Sequence, residues 1–109
     1  MMFFDIYAST SELGSKKSKL EPILVKESPI NVAKKIAKFL EENGYQNIVT
    51  KMDYFDIYGE KDGFEHSFVI AINDGASLIQ ISIYSTKKKG RVKRRLRNIY
   101  QEIEELFDR

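Results

Sequence analysis

The stretch YFDIYGEKDGFEHSFVIAINDGASLIQISIY, residues 54–84, decides the fold. It holds two Asp-Gly pairs, Asp62-Gly63 and Asp74-Gly75, each between segments in which large apolar residues alternate with polar ones. Asp-Gly suits a two-residue hairpin turn because both turn residues need positive φ. Placing Asp74-Gly75 in such a turn sets Ile72 against Ser77, Ile70 against Ile79 and Phe68 against Ile81. Placing Asp62-Gly63 likewise sets Ile57 against Phe68 and Phe55 against Ile70. The two turns independently put the large apolar residues on one face, and a slip of one residue would move them to the other. The sequence therefore predicts a three-stranded antiparallel meander over residues 54–59, 65–72 and 77–84. Its core face is Phe55, Ile57, Phe68, Ile70, Ile72, Ile79, Ile81 and Ile83. Its outer face is Tyr54, Asp56, Tyr58, Ser67, Val69, Ala71, Leu78, Gln80, Ser82 and Tyr84.

On the N-terminal side, residues 46–52 form a further strand candidate. Before it, Ser28 is a good N-cap, Pro29 suits the first helical position, and Asn43-Gly44 supplies a left-handed stop. Between them Ile30, Ala33, Ile36, Ala37 and Leu40 recur at helical spacing, which predicts a helix over 29–43. Residues 2–8 alternate as a strand would, and 22–27 (PILVKE) form a second short candidate. Residues 9–19, rich in Ser and Lys with Gly14, read as a mobile loop or arm. On the C-terminal side, Val92, Leu96, Ile99, Tyr100, Ile103, Leu106 and Phe107 form one stripe of a helix over 91–107. The expected fold is α+β, an antiparallel sheet with two helices packed on one face, in the order β-α-β-β-β-β-α. It forms one domain over residues 1–109, with 1–27 as an N-terminal strand or arm. That order resembles the TATA-binding-protein-like fold in topology alone, which implies no function.

The chain of 109 residues has no cysteine and 42% apolar residues. These totals exclude a disulfide framework, a thiolate metal site and a cysteine nucleophile. No apolar run approaches the length that spans a bilayer, and Met1-Met2-Phe3-Phe4-Asp5 lacks the basic lead-in of a signal peptide. The expectation is a cytoplasmic protein with no membrane contact. His66 is the single histidine, expected on the core side near Gly59 and Ile83, so neither a metal site nor a catalytic triad can be assembled around it. Gly59, Gly63 and Gly75 read as turn residues, not as a phosphate cradle. A nuclease-type metal site needs an Asp followed by an (Asp/Glu)-x-Lys on adjacent strands. Asp53 or Asp56 could open such a set, but Gln80-Ile81-Ser82 lacks the partners and Glu60-Lys61-Asp62 falls in a turn. The expectation is a non-enzymatic protein with no cofactor and no metal.

Charge is the informative feature. Of the 18 Lys and Arg residues, Lys87, Lys88, Lys89, Arg91, Lys93, Arg94, Arg95 and Arg97 fall in one run without an acid. Within the last helix they are like-charged neighbours three and four residues apart. They also crowd the positive end of the helix dipole, while Glu102, Glu104, Glu105 and Asp108 crowd the negative end. Each such misplacement costs roughly 0.3–1 kcal/mol at low salt. An anion would relieve the basic end, since free N–H groups at a helix start receive phosphate. The leading expectation is binding of DNA or RNA backbone by these eight residues. Two alternatives stand beside it. One is a solvated face, or one neutralised by Asp53, Asp56, Glu60, Asp62 and Glu65. The other is docking of an acidic protein, a second copy of the chain included. Tyr54, Tyr58 and Tyr84 on the outer face are candidates for base stacking or for an interface. Cover by the N-terminal arm, through Phe3, Phe4, Ile6 and Tyr7, or self-association is favoured over stacking.

Overall fold

Both Asp-Gly pairs form the turns that their sequence demands. Asp62 and Gly63 have φ of 55° and 82°, and Asp74 and Gly75 have 52° and 80°. The flanking pairs are Lys61 with Phe64 and Asn73 with Ala76. Each is a two-residue loop of type I′, whose twist matches that of the strands it joins. The computed structural model describes residues 6–10, 20–85 and 91–108. Its elements are β1 (Ile6–Ser9), β2 (Ile23–Val25), α1 (Pro29–Glu42), β3 (Gln46–Lys51), β4 (Asp56–Lys61), β5 (Phe64–Asn73), β6 (Ala76–Ser85) and α2 (Val92–Phe107). The fold is α+β. One antiparallel sheet of six strands runs in the order β1-β6-β5-β4-β3, with β2 also on β6, and the helices pack against it.

The register follows from the turns. Ile57 faces Phe68, Phe68 faces Ile81, Ile70 faces Ile79 and Ile72 faces Ser77. Ile57, Phe68, Ile79, Ile81 and Ile83 are fully buried and Ile70 nearly so. Two expected core positions differ. Phe55 does not pair with Ile70, because β4 starts one residue later and Phe55 sits in the preceding turn with φ 55°. A bulky residue there is strained, and its ring still packs half-buried on the core. Ile72 is 67% exposed, because the tip of the β5–β6 hairpin runs past the layer that the helices cover. Its cross-strand neighbour Ser77 is buried instead and donates its hydroxyl to the Glu27 carbonyl at 2.7 Å.

Both N-terminal strand candidates join the sheet, and on the same edge. β1 pairs with the second half of β6 and β2 with the first half. Thr10 fills the space between them. Its N–H donates to the Ile81 carbonyl at 2.8 Å, and its hydroxyl accepts from the Ile81 N–H at 3.2 Å. A buried backbone N–H is thereby satisfied where neither strand reaches it. Ser9 and Thr10 are thus part of the sheet edge, not of the expected loop. The remainder of that loop, and residues 2–5 of the first expected strand, lie outside the described residues.

The helices cover the apolar face. α1 starts at Ser28, whose hydroxyl accepts from the Asn31 N–H, and stops at Gly44 with φ 79°. It buries Val32, Ala33, Ile36 and Leu40, while Ile30 in its first turn is exposed. α1 lands on β4 at Gly59, where a Cβ would lie 3.3 Å from Leu40 Cδ1 and 3.3 Å from Tyr45 Cδ2. Gly59 is therefore a contact glycine inside a strand and not a turn residue. α2 buries Val92, Leu96, Ile99 and Ile103 against β6 and β1.

His66 lies in the core between Gly59 and Ile83 in register, 1% exposed, its ring edge-on to Tyr45 at 4.8 Å. Among the described residues, neither ring nitrogen has a well-aligned hydrogen-bond partner. Burial, aided by the positive charge of Arg95, pushes its pKa down to about 4 from 6.5. The unfolded chain then binds a proton between those pH values that the folded chain refuses. The part of folding stability that depends on this residue is full above pH 6.5 and is lost as pH falls from there through about 4. The expected loss from this residue is on the order of 3 kcal/mol. Urea denaturation of the wild type and of His66→Leu across this window checks it, the variant losing much less stability as the pH falls.

Candidate nucleic-acid interface

Val92, Leu96, Ile99 and Ile103 anchor α2 to the sheet, so its basic residues must occupy the remaining arc. Arg91, Lys93, Arg94 and Arg97 are exposed, and Arg95 is half-buried. The helix opens at Arg91, whose backbone is helical and whose side chain caps nothing. Among the described residues, no N-cap side chain accepts from the first N–H groups of α2, at the end where the cations gather. Lys87, Lys88 and Lys89 lie outside the described residues.

Arg95 differs from its neighbours. Its guanidinium pairs with Asp62 Oδ2 at 2.8 Å and lies over the Phe64 ring, 5.0 Å from the centroid. The first β-hairpin turn thus brings an acid under the first turns of α2. Internal neutralisation of the basic run is thus present at Arg95. Among the described residues, Arg91, Lys93, Arg94 and Arg97 make no ion pair with an acid. Asp56 and Glu60 have partners on the sheet. Asp56 accepts from the Tyr58 hydroxyl at 3.2 Å, and Glu60 accepts from Asn47 at 3.2 Å. Glu60 and Glu65 stand directly opposite each other across β4 and β5. Partial burial, then the Glu60 charge, raises the pKa of Glu65.

The tyrosines do not join the cluster. Side chains alternate across a strand, so Tyr58 and Tyr84 lie on the face opposite the one that buries Ile57 and Ile83 and carries α2. Tyr58 bonds Asp56, and the Lys51 ammonium sits 5.7 Å from its ring centroid. Tyr84 is half-buried opposite Glu65. Tyr54 is 71% exposed in the turn between β3 and β4, at the far end of β4 from Asp62. No described helix covers this outer face. Its exposed apolar residues Leu24, Val49 and Val69 are interleaved with Ser67, Gln80 and Ser82.

Among the described residues no group of acids and histidines is arranged to hold a metal ion, and no helix is long and apolar enough to cross a membrane. The sequence pattern located the cluster but not the division within it. Phe64 three residues before Ser67 gives no hint that Arg95, among five similar cations, is the one that stacks. Comparison with protein-family models, with curated proteins and with solved structures finds no match.

The division is measurable as stability. Arg95→Ala removes an ion pair and the packing of a long side chain on Phe64, and is expected to cost about 1 kcal/mol. Arg94→Ala removes a like-charge neighbour and is expected to change stability by less than about 0.5 kcal/mol. Urea unfolding of the two variants at low salt compares them.

Proposed function

We propose that the protein is a non-enzymatic binding domain that holds the phosphate backbone of nucleic acid on the first turns of α2. Arg91, Lys93, Arg94 and Arg97 provide the charge, and Lys87, Lys88 and Lys89 precede them in the chain. The observation that carries this reading is the set of four exposed cations that have no acid partner among the described residues, gathered at the start of a helix whose N-cap side chain caps nothing. Cations there repel one another and oppose the dipole, and a polyanion removes both penalties. Arg95, tied to Asp62, serves as the post that fixes the helix start against the sheet. Phosphate contacts position a protein without reading bases, so binding is indifferent to sequence. Tyr54, Tyr58 and Tyr84 take no part in this reading, since they lie away from the helix. The absence of cysteine suits a reducing compartment, and the cytoplasm is the proposed location.

Fluorescence anisotropy with labelled duplex DNA, single-stranded DNA and RNA over a salt series tests the proposal. If the four cations each hold one phosphate, the log–log slope on duplex DNA is about −3.6. Alanine at Arg91, Lys93, Arg94 and Arg97 together flattens it. Absence of binding to all three at low salt overturns the reading.

A further inference from the structure

Nucleic acid accounts for only half of what α2 shows to solvent. Beyond the exposed Arg91, Lys93, Arg94 and Arg97, the same helix exposes Glu102, Glu104, Glu105 and Asp108. None of these acids makes an ion pair among the described residues. They crowd the negative end of the dipole, and a polyanion would only add to the repulsion there. The charge pattern is antisymmetric along one helix face, and one kind of partner satisfies both halves together.

We infer that this face docks a second copy of the chain, with the two α2 helices side by side and antiparallel. Arg94, Asn98, Gln101, Glu105 and Asp108 follow one another at intervals of four, three, four and three residues. That is the spacing of a seam between two helices, and it lies opposite the buried stripe of Val92, Leu96, Ile99 and Ile103. A two-fold axis passing between Ile99 and Tyr100 sets the complementary residues level. Arg94 meets the partner's Glu105, Arg91 meets the partner's Asp108, and Asn98 meets the partner's Gln101. Glu104 falls between the partner's Lys93 and Arg97. The cations of each helix then stand beside the negative dipole end of the other. A contact of this kind is self-complementary, as a two-fold dimer requires. An unrelated acidic protein would satisfy the basic half and leave the acidic half as it is.

The interface has no apolar centre. Exposed ion pairs are individually weak and are screened by salt, so the dimer is a reversible, low-salt species and not an obligate one. The inference does not rest on nucleic-acid binding, and its test contains none.

Sedimentation equilibrium of the full chain reads it. The wild type is a dimer at about 10 mM salt and dissociates toward monomer at about 0.5 M, where screening is nearly complete beyond contact distance. Arg94→Glu and Glu105→Arg are both exposed substitutions, and circular dichroism confirms that each variant folds. Each alone weakens self-association by about tenfold or more, because like charges then face each other across the axis. An equimolar mixture of the two associates again, since the reversed charge at position 94 of one chain meets the reversed charge at position 105 of the other. The double variant R94E/E105R also regains the dimer. A wild type that stays monomeric at low salt overturns the inference. So does a dimer that both single variants leave intact, or a mixture that fails to associate.

Discussion

Everything in this molecule depends on the parity that two type I′ turns impose. Asp62-Gly63 and Asp74-Gly75 each close a two-residue loop, and a loop of that length leaves no freedom in register. Once Ile57, Phe68, Ile81 and their neighbours share a face, that face must be covered. Two amphipathic helices cover it, α1 landing at Gly59 where the sheet lacks a side chain. α2 settles over β6 and β1. No described helix lies on the other face. The turn at Asp62 does a second thing, since it carries its acid to the start of α2 and holds Arg95 there.

Alternation and turn chemistry are local properties, and what they govern was legible from the residues. The meander register, the start of α1 at Ser28-Pro29 and the stripe of α2 are of this kind. What escaped depends on where one element stops covering another. Ile72 obeys the alternation but lies beyond the helices, so its burial fails for a tertiary reason. Phe55 fits a strand pattern but is taken by the turn into β4. Two short N-terminal segments share one strand edge, joined by a threonine hydroxyl acting in place of a backbone group. No periodicity announces such a join. Gly59 shows the same limit, because a contact glycine and a turn glycine look alike until the opposing helix is known.

The basic run was visible as a whole, but its members are not equivalent. Charge counting treats Arg91, Lys93, Arg94, Arg95 and Arg97 as one patch. Among the described contacts, Arg95 is the half-buried, stacked and paired one of the five, so it contributes structure where the others contribute field. The tyrosines that a reader of the sequence would add to the patch lie across the sheet from it. Strand alternation made Tyr58 and Tyr84 outward-facing, and packing of both helices on the inward face then separated them from α2. A site assembled from composition therefore divides into two surfaces on opposite sides of one sheet.

The two partners proposed for α2 use the same four cations, so one excludes the other. A duplex presents about one negative charge per 1.7 Å of its axis, far denser than the acids spaced along a second α2. Its binding is also favoured by release of condensed counterions, which a pairing of two protein helices lacks. On these two proposals, the polyanion would displace the second copy where both are present. Self-pairing then has a consequence when no polyanion is near: each chain's acidic half shields the other's basic half from stray anions. The charge order that a single helix disfavours, cations first and acids last, is the order an antiparallel pair needs. Reversing the direction of that order within α2 would suit the isolated helix and would give up the exposed basic start proposed to hold nucleic acid.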